Sequence, residues 1–145
     1  MYVDKSADLD MAERILIDAK CQRMGVCNAA ESLLVHRDIA QEYLPRVAKQ
    51  LRLRDVELLG DEATCQILPE IGNATDADFA TEFLGPKLSI GIVRSIDEAI
   101  QIVGGEQGYD FIFDAMTGAL LYALEAHNLT DAVLEELDKL GTVTE

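Results

Sequence analysis

Three short apolar runs, 33–35, 56–59 and 88–93, are separated by longer segments whose apolar residues recur at helical spacing. This alternation narrows the fold more than any other feature of the chain. Residues 11–23 carry Met11, Ile15 and Ala19 on one stripe and Ala12 and Leu16 on the next, with Asp8 or Asp10 placed to cap the helix start. Residues 39–51 repeat the pattern with Ile39, Tyr43, Val47 and Leu51, although Pro45 sits inside. A short helix is expected over 26–32 and another over 62–68, and 71–78 reads as a loop rich in Gly, Asn, Thr and Asp. Ser95 with Glu98 forms a capping box for a helix carrying Ile96, Ala99, Ile100 and Val103, which Gly104-Gly105 should stop. Residues 2–3 and 109–114 read as strands. Leu120, Leu121 and Leu124, and then 129–140, have helical spacing. Strands and helices alternating at this pace predict an α/β fold with a mainly parallel sheet. Residues 1–145 read as a single unit.

The formal net charge of −15 argues against nucleic acid and anionic membranes as partners, because both require clustered Lys and Arg. The acidic residues are spread along the chain and serve solubility. No apolar run is long enough to span a bilayer, and the start, MYVDKSADLD, lacks the apolar stretch of a secretory signal. Three cysteines, an odd number, fit a reducing cytoplasmic setting better than a disulfide framework. Cys21 and Cys27 do not have zinc-site spacing, and His36 and His127 have no partner pattern, so no metal site is expected.

Cys27 follows Gly25 where a helical run ends and a new apolar run begins. Helix N-termini and nearby cations favour the nucleophilic thiolate, and Lys20 and Arg23 are close in sequence. A small buried hydrophobe is the alternative reading of such a cysteine, and it suits Cys21 and Cys65 better. Asn28 either caps the following helix or, with the Cys27 backbone N–H, donates to an oxyanion. Lys5, Lys20 and Arg23 read either as solvated charges or as attractors for an anionic substrate.

The segments YVDKSADLDMA, DAKCQR, GVCNA and LLVH together resemble the catalytic-cysteine region of the gamma-glutamyl phosphate reductases, the proline-biosynthesis branch of the aldehyde dehydrogenase superfamily. The resemblance is strongest over 1–36, weaker over 37–103 and weakest over 104–145. It implies a three-layer α/β domain like the aldehyde dehydrogenase catalytic domain. It also implies that the Cys27 thiolate attacks an acyl phosphate, that phosphate leaves, and that NADPH reduces the resulting thioester to an aldehyde. Glu82-Phe83-Leu84-Gly85-Pro86 resembles the Glu-Ile-Phe-Gly-Pro motif whose glutamate holds the nicotinamide ribose, so Glu82 is the implied cofactor residue; a surface acid before a Gly-Pro turn is its other reading. Met24 stands where the family usually has Pro, and Ser32 where it usually has Thr. No Gly-rich nucleotide loop is present, which predicts that this chain alone binds no NADP. Residues 110–115, in preference to 119–126, match the family's next strand. The implied function is therefore that of a catalytic-domain fragment, inactive without a nucleotide-binding domain. The alternatives are a non-enzymatic α/β domain used for association and an acyl-transferring dehydrogenase with CoA chemistry. The apolar stripe over 129–140 and the cut-out sheet suggest a homodimer.

Overall fold

The Ser-Leu-Leu-Val-His run forms a strand, Ser32–His36, in which Leu33 and Val35 face one side and Leu34 the other, all three buried. A strand buried on both faces belongs in the interior of a parallel sheet, and that is its position. The computed structural model describes residues 1–106, 111–113 and 120–123. In chain order the elements are β1 (Tyr2–Val3), α1 (Leu9–Cys21), β2 (Ser32–His36), α2 (Arg37–Arg52), β3 (Glu57–Gly60), α3 (Glu62–Ile67), β4 (Gly72–Asn73), α4 (Asp76–Phe79), β5 (Lys87–Val93), α5 (Ile96–Glu106), β6 (Phe111–Phe113) and β7 (Leu120–Ala123). Five strands form an all-parallel sheet in the order β1-β2-β5-β3-β4, and β6 and β7 pair antiparallel in a separate ribbon. Helices cover both faces, giving the expected three-layer α/β architecture.

The main core lies on the face of α1, α2 and α3. Ala12 and Leu16 of α1 and Ala40, Tyr43, Leu44, Val47, Ala48 and Leu51 of α2 pack on Leu33, Val35, Leu58, Leu88 and Ile90. The other face is smaller: Leu34, Val93 and Ala99 are buried there, with Tyr2, Phe79 and Ile102 packed against them. Asp8 caps α1 by accepting from the N–H groups of Asp10 and Met11. His36 Nδ1 accepts from the Asp38 N–H and caps α2. α2 continues through Pro45 at the cost of one helical hydrogen bond. Asp61 caps α3 through the Thr64 N–H at 2.7 Å and accepts from the Ile92 N–H at 2.8 Å, fastening the end of β3 to β5.

Several expectations are corrected. Residues 26–32 are turns followed by the start of β2, and no helix forms there, because the strand takes Ser32 and leaves too few residues for helical bonds. Of the two α1 stripes, Ala12 and Leu16 are buried, whereas Met11 and Ile15 are each 51% exposed. Expected loop 71–78 contains the short β4 and most of α4. The helix expected to stop at Gly104-Gly105 runs to Glu106; glycine lowers helix propensity without forbidding the conformation. Ile96, expected on its apolar face, is exposed. Residues 120–123 form a strand and not a helix, since pairing with β6 overrides a spacing read from three leucines. The expected strand over 109–114 is present as β6. The expected helix over 129–140 lies outside the described residues.

Candidate functional site

β2 and β5 are adjacent and parallel, with Ser32 opposite Ser89. Cys27 lies five residues before β2 and Glu82 five residues before β5. Both loops therefore enter the sheet at the same edge, that of the strand amino ends. They meet there: a Cβ on Gly25 would lie 3.4 Å from the Leu84 carbonyl oxygen. Ligands of open α/β sheets usually sit at the opposite, carboxyl edge, so this placement is set by the two loops and not by the sheet.

The Val26 carbonyl accepts from the Ala29 N–H at 3.0 Å, which makes Cys27 and Asn28 the two central residues of a β-turn. Both are exposed. The expected helix N-terminus behind Cys27 is replaced by this turn, so Asn28 caps no helix. Within the described residues, the N–H groups of Cys27 and Asn28 donate to no protein group, and they remain available as donors at the turn. Met24, in place of the family's Pro, is half-buried against the main core.

The second loop is held where it enters β5. The Pro86 carbonyl accepts from the Glu57 N–H at 2.8 Å, and Lys87 Nζ lies 3.2 Å from Glu57 and 5.6 Å from the centre of the Phe83 ring. Leu84 is half-exposed at φ 47, a left-handed backbone that a branched side chain rarely adopts. Glu82 is exposed and accepts no hydrogen bond from the described residues.

The three cations that read alike in sequence are separated by the fold. Arg23 is exposed on the Cys27 loop. Lys5 follows β1 and lies at the carboxyl edge, away from Cys27. Lys20 is fully buried, with Nζ 3.0 Å from Glu31 Oε2, and is neither solvated nor free to bind an anion. The Glu31 carbonyl accepts from the Ser89 N–H at 3.1 Å and from Ser89 Oγ at 3.3 Å, and the Ser32 and Ser89 hydroxyls lie 2.9 Å apart. Sequence reasoning missed Glu31, Ser32 and Ser89 as parts of the site because their meeting depends on the β2–β5 register. The one available signal was Glu31 itself, a charge directly ahead of a strand buried on both faces.

Burial pushes the thiols of Cys21 and Cys65 up, aided at Cys65 by the Asp61 carboxylate. Cys21 is half-buried against the main core, as expected, and Cys65 donates to the Gly60 carbonyl at 3.3 Å. Among the described residues no cluster of three or more His, Cys, Asp or Glu is arranged to hold a metal, and no helix is long and apolar enough to cross a membrane.

A family model described as Outer membrane protein (OmpH-like) matches residues 80–137, under half of the chain. Where this stretch is described, it supplies the central strand β5 and helix α5 of the layered fold, and β6 and β7. Full-length relatives point elsewhere. The chain is 54% identical over 101 residues to a gamma-glutamyl phosphate reductase of Heliobacterium modesticaldum, covering 70% of this chain and 24% of that protein. It is 56% identical over 99 residues to the enzyme of that name from Rhodopirellula baltica, covering 68% and 23%. The crystal structure of gamma-glutamyl phosphate reductase from Thermotoga maritima superposes with a TM-score of 0.71 at 46% identity, over 72% of this chain and 25% of that one. By sequence and by fold the chain belongs with the gamma-glutamyl phosphate reductases, of whose length it spans about a quarter.

Proposed function

We propose that this chain is the nucleophile-bearing part of a gamma-glutamyl phosphate reductase, with Cys27 as the attacking group. The observation that carries the reading is the meeting of two loops at one sheet edge, one presenting an exposed thiol at a turn and the other an exposed carboxylate that no described residue engages. The Cys27 sulfur forms a bond to the acyl carbon, the carbon–oxygen bond to phosphate breaks, and phosphate leaves with the electron pair, giving a thioester. The N–H groups of Cys27 and Asn28 supply donors for the oxyanion formed on the way. Arg23 is the cation on the same loop and meets the substrate's phosphate.

NADPH, when bound, supplies the hydride that takes the thioester carbonyl to the aldehyde level. Glu82 fits one part of that group: its free carboxylate is able to accept from two ribose hydroxyls. Nothing among the described residues fits the pyrophosphate, because no glycine-rich turn leads from a strand into a helix there. The chain alone is therefore proposed to have no measurable NADPH affinity, and a micromolar dissociation constant by calorimetry would contradict this. A reducing compartment such as the cytoplasm keeps Cys27 in the thiol form that the reaction needs.

The experiment is a graft. Residues 1–106 replace the matching segment of the Thermotoga maritima reductase, and NADPH-dependent reduction of the acyl phosphate is measured. The graft should be active, and Cys27→Ser within it should lower kcat by at least about a thousandfold. A folded, active graft that is indifferent to Cys27→Ser would end the proposal.

A further inference from the structure

We propose that Lys20 and Glu31 form a buried clamp that positions the Cys27 loop; they are positioning residues, and the inference rests on Cys27 being the nucleophile. Lys20 lies in the last turn of α1 and Glu31 directly precedes β2, so the pair closes the base of the loop that carries Cys27. A second closure runs beside it, the Ala30 N–H donating to the Ala19 carbonyl at 3.0 Å. The loop tip is thus an exposed turn on a doubly fastened base.

The charges in the base are informative. A fully buried lysine beside a carboxylate that is 14% exposed is a costly way to close a loop, since well-packed apolar side chains often serve stability as well or better. What an ion pair adds is one defined geometry. Glu31 Oε1 is buried and has no partner among the described residues, where Lys20 is the group that holds this carboxylate in place. Glu31 also extends the constraint to the second loop, because its carbonyl accepts from both the N–H and the hydroxyl of Ser89, two residues into β5. Movement of Glu31 would therefore shift the Cys27 loop relative to the strand that follows Glu82.

The test compares the wild-type chain with Lys20→Met/Glu31→Leu, which removes both charges, with Glu31→Gln, and with Lys20→Arg, which keeps the pair. Backbone hydrogen exchange of residues 22–30 is read against that of β2 and β5, and Cys27 acylation by acetyl phosphate is followed by mass spectrometry. In the double variant the bonded loop amides of Gln22, Ala29 and Ala30 should exchange faster, and Cys27 acylation should slow, each by about tenfold or more, while strand protection is unchanged. Lys20→Arg should return both to near the wild-type rates. A folded double variant with wild-type loop exchange and acylation overturns the clamp. So does a Lys20→Arg variant as impaired as the double one. If the double variant does not fold, Glu31→Gln is judged by the same two rates. Absence of Cys27 acylation in the wild type would overturn the nucleophile assignment, and the exchange rates would still decide the clamp.

Discussion

Cys27 is legible as a candidate in the sequence, but a helix N-terminus is not what sets it apart. The expected helix behind it is a β-turn, which carries no helix dipole. What distinguishes it from the other two cysteines is exposure, together with the upward shift that burial gives the thiols of Cys21 and Cys65. In the native chain iodoacetamide should therefore modify Cys27 first; equal rates at all three positions, followed by peptide mapping, would contradict the assignment. Lys20 shows the limit of reading charges in sequence. It lies on the buried side of α1 with Ala12 and Leu16, spaced by four residues, but a lysine there reads as solvated until its partner Glu31 is seen eleven residues away. At Leu84 the left-handed backbone predicts that Leu84→Gly leaves stability unchanged or raises it by up to about 1 kcal/mol, read from the urea midpoint.

The strands at the centre of the sheet were the most legible elements, because residues buried on both faces give unbroken apolar runs such as 33–35 and 88–93. α1 was legible as a helix but not as to which stripe turns inward, since Met11 and Ile15 compete with Ala12 and Leu16 on spacing alone. The fold decides this through α2, whose Arg46 bonds Asp10 and Glu13 and orients α1. Leu16→Ala should cost about 2–5 kcal/mol, whereas Ile15→Ala should change stability by less than about 0.5 kcal/mol; denaturant melts of the two variants check this. The β3–α3 junction is equally specific. A Cβ at Gly60 would lie 2.7 Å from Ile71 Cδ1 and 2.8 Å from Thr64 Cγ2, so Gly60→Ala should destabilise by about 1–3 kcal/mol. The 120–123 segment is not legible from spacing, because four residues cannot separate a helical from a strand pattern; its pairing with β6 is a tertiary fact.

Across the whole molecule the strand order β1-β2-β5-β3-β4 brings together two loops that are more than fifty residues apart in sequence, and nothing in the one-dimensional pattern shows which strands become neighbours. Acid should loosen the fold in a defined window. Asp4 accepts from the Ser6 N–H, the Ser6 hydroxyl and the Tyr2 hydroxyl, which lowers its carboxyl from 3.8 to about 2. The unfolded chain takes up that proton first, so this contribution is complete above the unfolded value and is lost as pH falls toward about 2. Asp4→Asn should flatten that part of the stability–pH curve. A homodimer remains our proposal for the assembled state. The edge strands β1 and β4 are two residues long and offer little backbone pairing, whereas Met11 and Ile15 are exposed on α1. Salt screening of the net charge of −15 should favour association, and light scattering that finds a single-chain mass at every salt concentration would contradict the dimer. The central claim is that Cys27 is an acyl-accepting nucleophile, and the most direct test is to incubate the chain with acetyl phosphate, quench in acid and map the adduct by mass spectrometry. The account predicts a hydroxylamine-labile acetyl thioester on Cys27 that is absent from Cys27→Ser; a Cys27 that alkylates freely with iodoacetamide yet never carries the acetyl group would contradict it.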